Sequence, residues 1–185
     1  MARNTLLSHQ YPGEPTMAQR AAAAGAKFAM VAENVAMGDS AEGIHDGWMH
    51  SPGHRKNILN PELTTLGIAV VGAHGRLFAV QDFSRSVAGL SLEEQEEKVI
   101  ALLAETAQVS AVATQDARRA CSADDGSAGA PFLYVSRFEV TDLSKLPDEL
   151  LHTIKSRGYR KASVGACPDN DSEGFTRYRL AVLLH

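Results

Sequence analysis

The sequence predicts a mixed α/β fold class, because helix and strand patterns alternate along its 185 residues. Three segments carry this prediction. Residues 66–83 have the pattern of two strands joined by a tight turn, residues 91–103 that of an amphipathic helix, and residues 132–184 that of a β-α-β-β series. The composition, 44% hydrophobic and 22% charged, is ordinary for a globular protein.

Two helices are predicted before the first strand pair. Residues 17–26 are rich in alanine, and Gly25 is a suitable terminator. Residues 40–50 form the second helix, with Ser40 as its N-cap. Ile44 and Trp48 lie one turn apart on this helix, so they share a face and are expected in the core.

A third helix is predicted to begin at Ser51-Pro52-Gly53-His54. Ser51 suits an N-cap and Pro52 the first helical position, where its missing N–H costs nothing. A cap is therefore expected of Ser51 rather than a nucleophile. A helix N-terminus does not favour a cation, so a neutral imidazole or a metal ligand fits His54 better. A functional role and a purely structural role are equally good explanations for the position of His54 on the first turn.

Two strands and a helix follow. Residues 66–71 and 77–83 are predicted strands, joined by a turn that Gly72 and Gly75 flank. The helix at 91–103 begins with a capping box of Ser91 and Glu94. Its apolar stripe consists of Leu92, Val99 and Leu103, and its acidic residues are interpreted as a solvated helix start: Glu93, Glu94, Glu96 and Glu97.

The remaining residues complete the β-α-β-β series. Strands are predicted at 132–140, 162–167 and 175–184, with a helix at 147–157 that Gly158 caps. This order favours a right-handed parallel crossover followed by an antiparallel return. Residues 122–130 are predicted as a flexible loop, and residues 169–173 as a turn rather than a calcium site.

Several motifs occur together in the order typical of one family. They are His9, Ala32-Glu33-Asn34-Val35-Ala36, residues 48–59, residues 66–70 and residues 78–83. Residues 1–86 thereby resemble an SCP-like domain of the CAP superfamily, which includes cysteine-rich secretory proteins, in its bacterial form. The resemblance implies an α/β/α sandwich with a cleft lined by two histidines and two acidic residues. It also implies an extracellular or periplasmic location.

The resemblance assigns site residues one by one. His9 resembles the first histidine of the cleft, Glu33 the first glutamate and His54 the second histidine. Ser51 stands closest to the place of the second glutamate, so one carboxylate is missing from the family's set. Compared with the family, the chain also begins about one helix late, and no secretory leader is visible at Met1.

Two classes of function follow from the resemblance. The first is a secreted binding module whose cleft takes a small apolar ligand, such as a sterol or another lipid, or a partner protein. The alternative is a metal-assisted hydrolase, in which His9 and His54 hold zinc or another divalent metal and Glu33 acts as ligand or general base. The binding module is favoured, because a carboxylate is missing and no nucleophile is evident. An envelope protein that interacts through its C-terminal unit is a third class.

Three regions are predicted: an SCP-like domain at 1–88, a connecting helix at 89–108 and a C-terminal unit at 109–185. The helix is expected to pack on the SCP-like domain, so that the two halves form one compact body. Alternatively, a second chain covers the apolar surface of that domain, and the protein is a homodimer. Cys121 and Cys167 either form a disulfide, which the resemblance to secreted proteins favours, or stay as buried thiols.

Charge and hydropathy exclude two kinds of partner. The net charge of −4 comes from residues 89–185, since residues 1–88 hold seven basic and seven acidic residues. No basic face typical of nucleic-acid binding is present. No apolar run approaches the length of a membrane span.

Overall fold

The computed structural model describes residues 1–123, 134–169 and 173–185. Most of the predicted loop at 122–130, the first residues of the predicted strand at 132–140 and most of the predicted turn at 169–173 lie outside this described part. The chain divides into two compact units. Residues 1–87 and 172–175 form the first unit, and residues 88–171 and 176–185 form the second.

The first unit has a three-stranded antiparallel sheet in strand order β1-β3-β2, with helices before and between the strands. Its described elements are α1 (Met17–Ala23), β1 (Phe28–Gly38), α2 (Ala41–His50), α3 (Pro52–Ile58), β2 (Thr65–Ala73) and β3 (Arg76–Ser86).

The helix ends follow the predicted cap residues, with one exception. Gly25 follows α1 at φ +88°, a backbone conformation that glycine adopts without strain. The side chain of Ser40 accepts a hydrogen bond from the Gly43 amide at the start of α2. Ser51 occupies the N-cap position of α3, but its side chain makes no capping hydrogen bond. Ser51 therefore occupies the predicted N-cap position of α3, but the predicted hydrogen bond to its hydroxyl is not formed.

Helices lie on both faces of the first sheet. Ala36 of β1 packs against Ile44 and Trp48 of α2, and Ile44 and Trp48 are buried as predicted. Successive side chains of a strand point to opposite faces, so Glu33 faces the other way. There Glu33 contacts Arg20 of α1. The predicted α/β fold class is confirmed, and α1 and α2 sandwich the sheet at β1.

The second unit contains a four-stranded mixed sheet in strand order β4-β6-β7-β5. Its described elements are α4 (Leu92–Ala107), β4 (Ser110–Ala113), α5 (Gln115–Ser122), β5 (Tyr134–Val140), α6 (Asp148–Arg157), β6 (Lys161–Cys167) and β7 (Tyr178–Leu184). Strands β4 and β6 are parallel, and β7 runs antiparallel to both β6 and β5. The predicted β-α-β-β order is present as β5-α6-β6-β7, with β7 inserted between β5 and β6, which run parallel to each other. The sequence did not predict β4 or α5.

Helix α4 belongs to the second unit. Val99 and Leu103 are fully buried in one hydrophobic core with Val109, Leu150 and Val164. The prediction that this helix packs on the SCP-like domain is therefore wrong. The apolar stripe was identified correctly, but β4 and β6, which follow it in the chain, supply its partner surface.

The interpretation of Glu96 as part of a solvated helix start is also wrong. Glu96 is 1% exposed. Its carboxylate accepts hydrogen bonds from Nε and Nη2 of Arg118, at 2.7 and 2.6 Å, and from the Ala166 amide at 3.0 Å. Burial alone would raise the pKa of Glu96, but these hydrogen bonds outweigh it and hold the pKa below its ordinary value. One carboxylate thereby connects α4, α5 and β6.

The two cysteines form a disulfide, as the resemblance to secreted proteins favours. Cys121 on α5 and Cys167 at the end of β6 are bonded, with their Cα atoms 5.7 Å apart. The bond lies in a small core that also holds Ala117, Ala120 and Leu183. The alternative of two free thiols is wrong.

Candidate functional site

The centre of the candidate site is the Glu33 side chain, which is 8% exposed. Its Oε1 lies 2.7 Å from Nδ1 of His9, and its Oε2 accepts a hydrogen bond from Nη2 of Arg20 at 3.3 Å. Both carboxylate oxygens therefore have partners. The structure brings together two of the three predicted site residues, His9 and Glu33, and adds Arg20.

Arg20 also positions the loop that carries His9. Its Nη1 donates to the Pro15 carbonyl at 3.0 Å, and its Nη2 donates to the His9 carbonyl at 3.4 Å. The Tyr11 hydroxyl donates to the Leu6 carbonyl and closes the same loop. Because α1 places Arg20 over β1, one guanidinium holds both the Glu33 carboxylate and the His9 backbone.

The contact with Glu33 fixes which nitrogen of His9 carries the proton. A carboxylate can only accept a hydrogen bond, so Nδ1 of His9 is the donor and Nε2 of the neutral ring keeps its lone pair. The His9 side chain is 61% exposed. The pair therefore presents an oriented imidazole that accepts hydrogen bonds from solvent or from a ligand.

A second carboxylate lies beside Glu33. Asp82 of β3 is directly opposite Glu33 of β1 in the antiparallel register. Asp82 is exposed as a residue, yet partial burial of its carboxyl, together with the charge and hydrogen bond of Glu33, raises its pKa. Asp82 is an acidic residue that sequence reasoning did not assign. Its position opposite Glu33 becomes visible only once the strand register is known.

His54 lies on the first turn of α3, which a carboxamide network fastens to β1. The fully buried Asn34 donates through Nδ2 to the His54 carbonyl and to Oε1 of Gln81, each at 3.2 Å. Nδ2 of Asn57 in turn donates to Oδ1 of Asn34 at 2.9 Å. Asn34 follows Glu33 in β1, so the side chain that holds the His54 backbone points to the face opposite the Glu33 side chain. Across the described ranges, the His54 imidazole itself has no hydrogen bond to His9 or Glu33.

The side chains near Glu33 do not provide enough ligands for a typical catalytic metal site. In residues 1–123, 134–169 and 173–185, no group of three or more His, Cys, Asp and Glu side chains is arranged to hold a metal ion. Glu33 uses one oxygen for His9 and the other for Arg20. Catalytic zinc usually has three protein ligands, so the residues present do not fit such a site. A two-imidazole site through His9 and His54 stays a prediction.

Apolar side chains adjoin His9 on the surface. Leu6 and Leu7 are 58% and 42% exposed. They precede His9 in the loop that the Tyr11 hydroxyl closes. Two exposed apolar side chains therefore lie within three residues of His9 in the sequence.

The first half of the chain is similar to known proteins. Residues 1–83 match the model of the CAP family, described as the cysteine-rich secretory protein family. An uncharacterised Bacillus subtilis protein, YkwD, is 35% identical over 72 residues, which are 38% of this chain and 28% of that protein. A crystal structure of an extracellular protein containing an SCP domain from Bacillus anthracis shares 33% identity. It covers 45% of this chain and 27% of its own, with a TM-score of 0.41.

The matches identify the first unit. Residues 1–83 form a bacterial CAP, or SCP-like, domain, as the sequence motifs indicated. The chain spans less than a third of the length of either relative. Among the described helices, none is both long and apolar enough to cross a membrane.

Proposed function

We propose that residues 1–87 act as an extracellular binding module whose ligand contacts the surface at His9, which Glu33 orients. One observation carries the proposal: an exposed imidazole is oriented by a buried carboxylate that has no free oxygen. In this arrangement Glu33 positions His9 and is not available as a general base. That favours recognition over hydrolysis.

The chemistry of the surface limits the ligand. The unprotonated Nε2 of His9 accepts hydrogen bonds, so the ligand must supply a donor such as a hydroxyl or an amide N–H. Leu6 and Leu7 offer apolar contact beside it. A small amphiphile with an apolar body and a hydroxyl group, as in a sterol, meets both conditions. A partner protein with an N–H or O–H group beside an apolar side chain is the second candidate.

The family's name and the disulfide support the extracellular location. The matching family is that of cysteine-rich secretory proteins. Disulfides such as Cys121–Cys167 persist in oxidising compartments and are rare in the cytosol.

A fluorescent sterol tests the proposal directly. We expect saturable binding to the wild-type protein and at least a tenfold loss of affinity in His9→Ala, because the hydrogen-bond acceptor is removed. His45→Ala is the matched control, since His45 is an exposed histidine of α2 away from Glu33. Equal affinities of the two variants would contradict the proposed surface. Hydrolysis of casein that requires zinc and Glu33 would favour the hydrolase instead.

A further inference from the structure

The strand β2 exposes an unusual amount of apolar surface for a strand. Its sequence, Thr-Leu-Gly-Ile-Ala-Val-Val-Gly-Ala, contains neither a charge nor a proline. Four large side chains are about half exposed, at 48%, 60%, 50% and 54%: Leu66, Ile68, Val70 and Val71. Leu66, Ile68 and Val70 share one face of the strand and form an exposed apolar patch of the kind that marks interaction sites, whereas Val71 lies on the other face.

The backbone of β2 is available as well. The strand order β1-β3-β2 puts β2 at the edge of the sheet, and its outer edge pairs with no strand in the part of the chain that the structure describes. Natural edge strands are usually protected from further pairing by charges, prolines or bulges. The nine residues of β2 carry neither charges nor prolines, and their register with β3 is continuous.

We propose that β2 pairs antiparallel with β2 of a second copy of this chain, which joins the two sheets into one of six strands. This inference does not depend on the proposed ligand. A two-fold axis at Ala69 places Ile68 next to Val70 of the second copy on one face. It places Val71 opposite Gly67 and Leu66 opposite Gly72, so these two large side chains each meet a glycine.

Charge permits this pairing of like with like. A two-fold axis brings two copies of the same segment together, so a charged residue near the axis would be repelled by its own copy. Strand β2 has no charge to repel its copy, and residues 1–88 hold seven basic and seven acidic residues. The buried area lies at the small end for protein interfaces, so the dimer is expected to be weak and concentration-dependent.

Sedimentation of the full chain tests the pairing. We expect wild-type protein to shift from monomer to dimer as its concentration rises to about 100 µM, the range of weak complexes. Ile68→Lys is expected to stay monomeric over the same range, because it places like charges beside the two-fold axis. Val112→Lys is the matched control: Val112 is 59% exposed on the edge strand β4, and its variant should dimerise like wild type. A wild-type monomer throughout would overturn the proposal, as would equal dimerisation of both lysine variants.

Cross-linking gives a second test that does not depend on how Ile68→Lys folds. Both native cysteines are engaged in a disulfide, so Ala69→Cys introduces the one free thiol of the chain. Under mild oxidation we expect rapid formation of a covalent dimer, at least tenfold faster than with Val112→Cys. Equal rates for the two variants would overturn pairing through β2.

Discussion

Nδ1 of His9 and Oε1 of Glu33 lie 2.7 Å apart, although 24 residues separate them in sequence. The two groups differ sharply in environment, since the Glu33 side chain is 8% exposed and that of His9 61% exposed. A buried carboxylate of this kind orients an imidazole in the way that carboxylates orient the histidines of metal sites, by accepting a hydrogen bond from the ring. The relationship makes His9 the accessible part of the site and Glu33 its support.

The first prediction concerns the proton on His9. Because Glu33 accepts from Nδ1, nitrogen NMR at pH 8 should show the neutral ring of His9 protonated at Nδ1. Glu33→Gln should weaken this preference and lower the free energy of unfolding by about 1–3 kcal/mol, the cost of a buried polar group whose hydrogen bonds are incompletely made. Glu42→Gln, at an exposed position of α2, should change neither quantity. A His9 ring protonated at Nε2 in the wild type would contradict the geometry.

The second prediction concerns the pH dependence of stability. The hydrogen bonds from Arg118 and the Ala166 amide lower the pKa of Glu96 below its ordinary value of 4.5. A lowered carboxyl pKa stabilises the fold fully above the unfolded pKa, and this contribution is lost as the pH falls through the folded pKa. Glu96→Gln should therefore reduce the free energy of unfolding by about 3 kcal/mol at pH 7. The difference from wild type should shrink below about pH 4.5.

The control for Glu96 is its neighbour Glu97, which is exposed on the same helix. Glu97→Gln should alter stability by less than about 0.5 kcal/mol, as surface substitutions usually do. Denaturant unfolding at pH 4 and pH 7 measures both variants. A Glu96→Gln effect that is the same at the two pH values would show that ionisation of Glu96 does not stabilise the fold.

The third prediction concerns the Cys121–Cys167 disulfide. It closes a loop with a sequence separation of 46 residues, which on the chain-entropy model stabilises the fold by about 4 kcal/mol. The double variant Cys121→Ser and Cys167→Ser should therefore unfold at a markedly lower denaturant concentration than wild type. Thiol labelling of unfolded, unreduced wild-type protein should find no free thiol. Two labelled thiols would contradict the bond.

The sequence correctly predicted the features that depend on local patterns, and those that depend on several motifs occurring in a fixed order. The caps at Ser40 and Ser91, the turn of the strand pair and the helix terminator Gly25 follow from neighbouring residues. His9 and Glu33 were assigned by resemblance, and the structure brings these two together. The disulfide was favoured on the same ground.

Long-range pairing explains what the sequence did not predict. Arg20 lies in an alanine-rich helix, where nothing nearby indicates its contact with Glu33 across 13 residues. Glu96 looks like one acidic residue among four, and its partner Arg118 is 22 residues away. The apolar stripe of α4 was recognised, but a stripe does not specify which sheet it covers. Each of these outcomes depends on tertiary contacts rather than on periodicity.

The central prediction from the sequence is that His54 shares one site with His9 and Glu33, and Zn²⁺ is a probe of that prediction. Imidazole nitrogens are common zinc ligands, and two of them close together should bind weakly at neutral pH. Binding should be lost in acid, because a protonated imidazole cannot coordinate a metal ion. His54→Ala should abolish the response of His9, whereas His45→Ala should leave it unchanged.

The most direct measurement is a histidine-selective NMR titration with Zn²⁺ at pH 7.5, which follows all seven histidines at once. We expect the resonances of His9 and His54 to shift together and to saturate at the same zinc concentration, while the other five change little. Responses of His9 and His54 at different concentrations, or an unchanged His9 response in His54→Ala, would contradict a shared site.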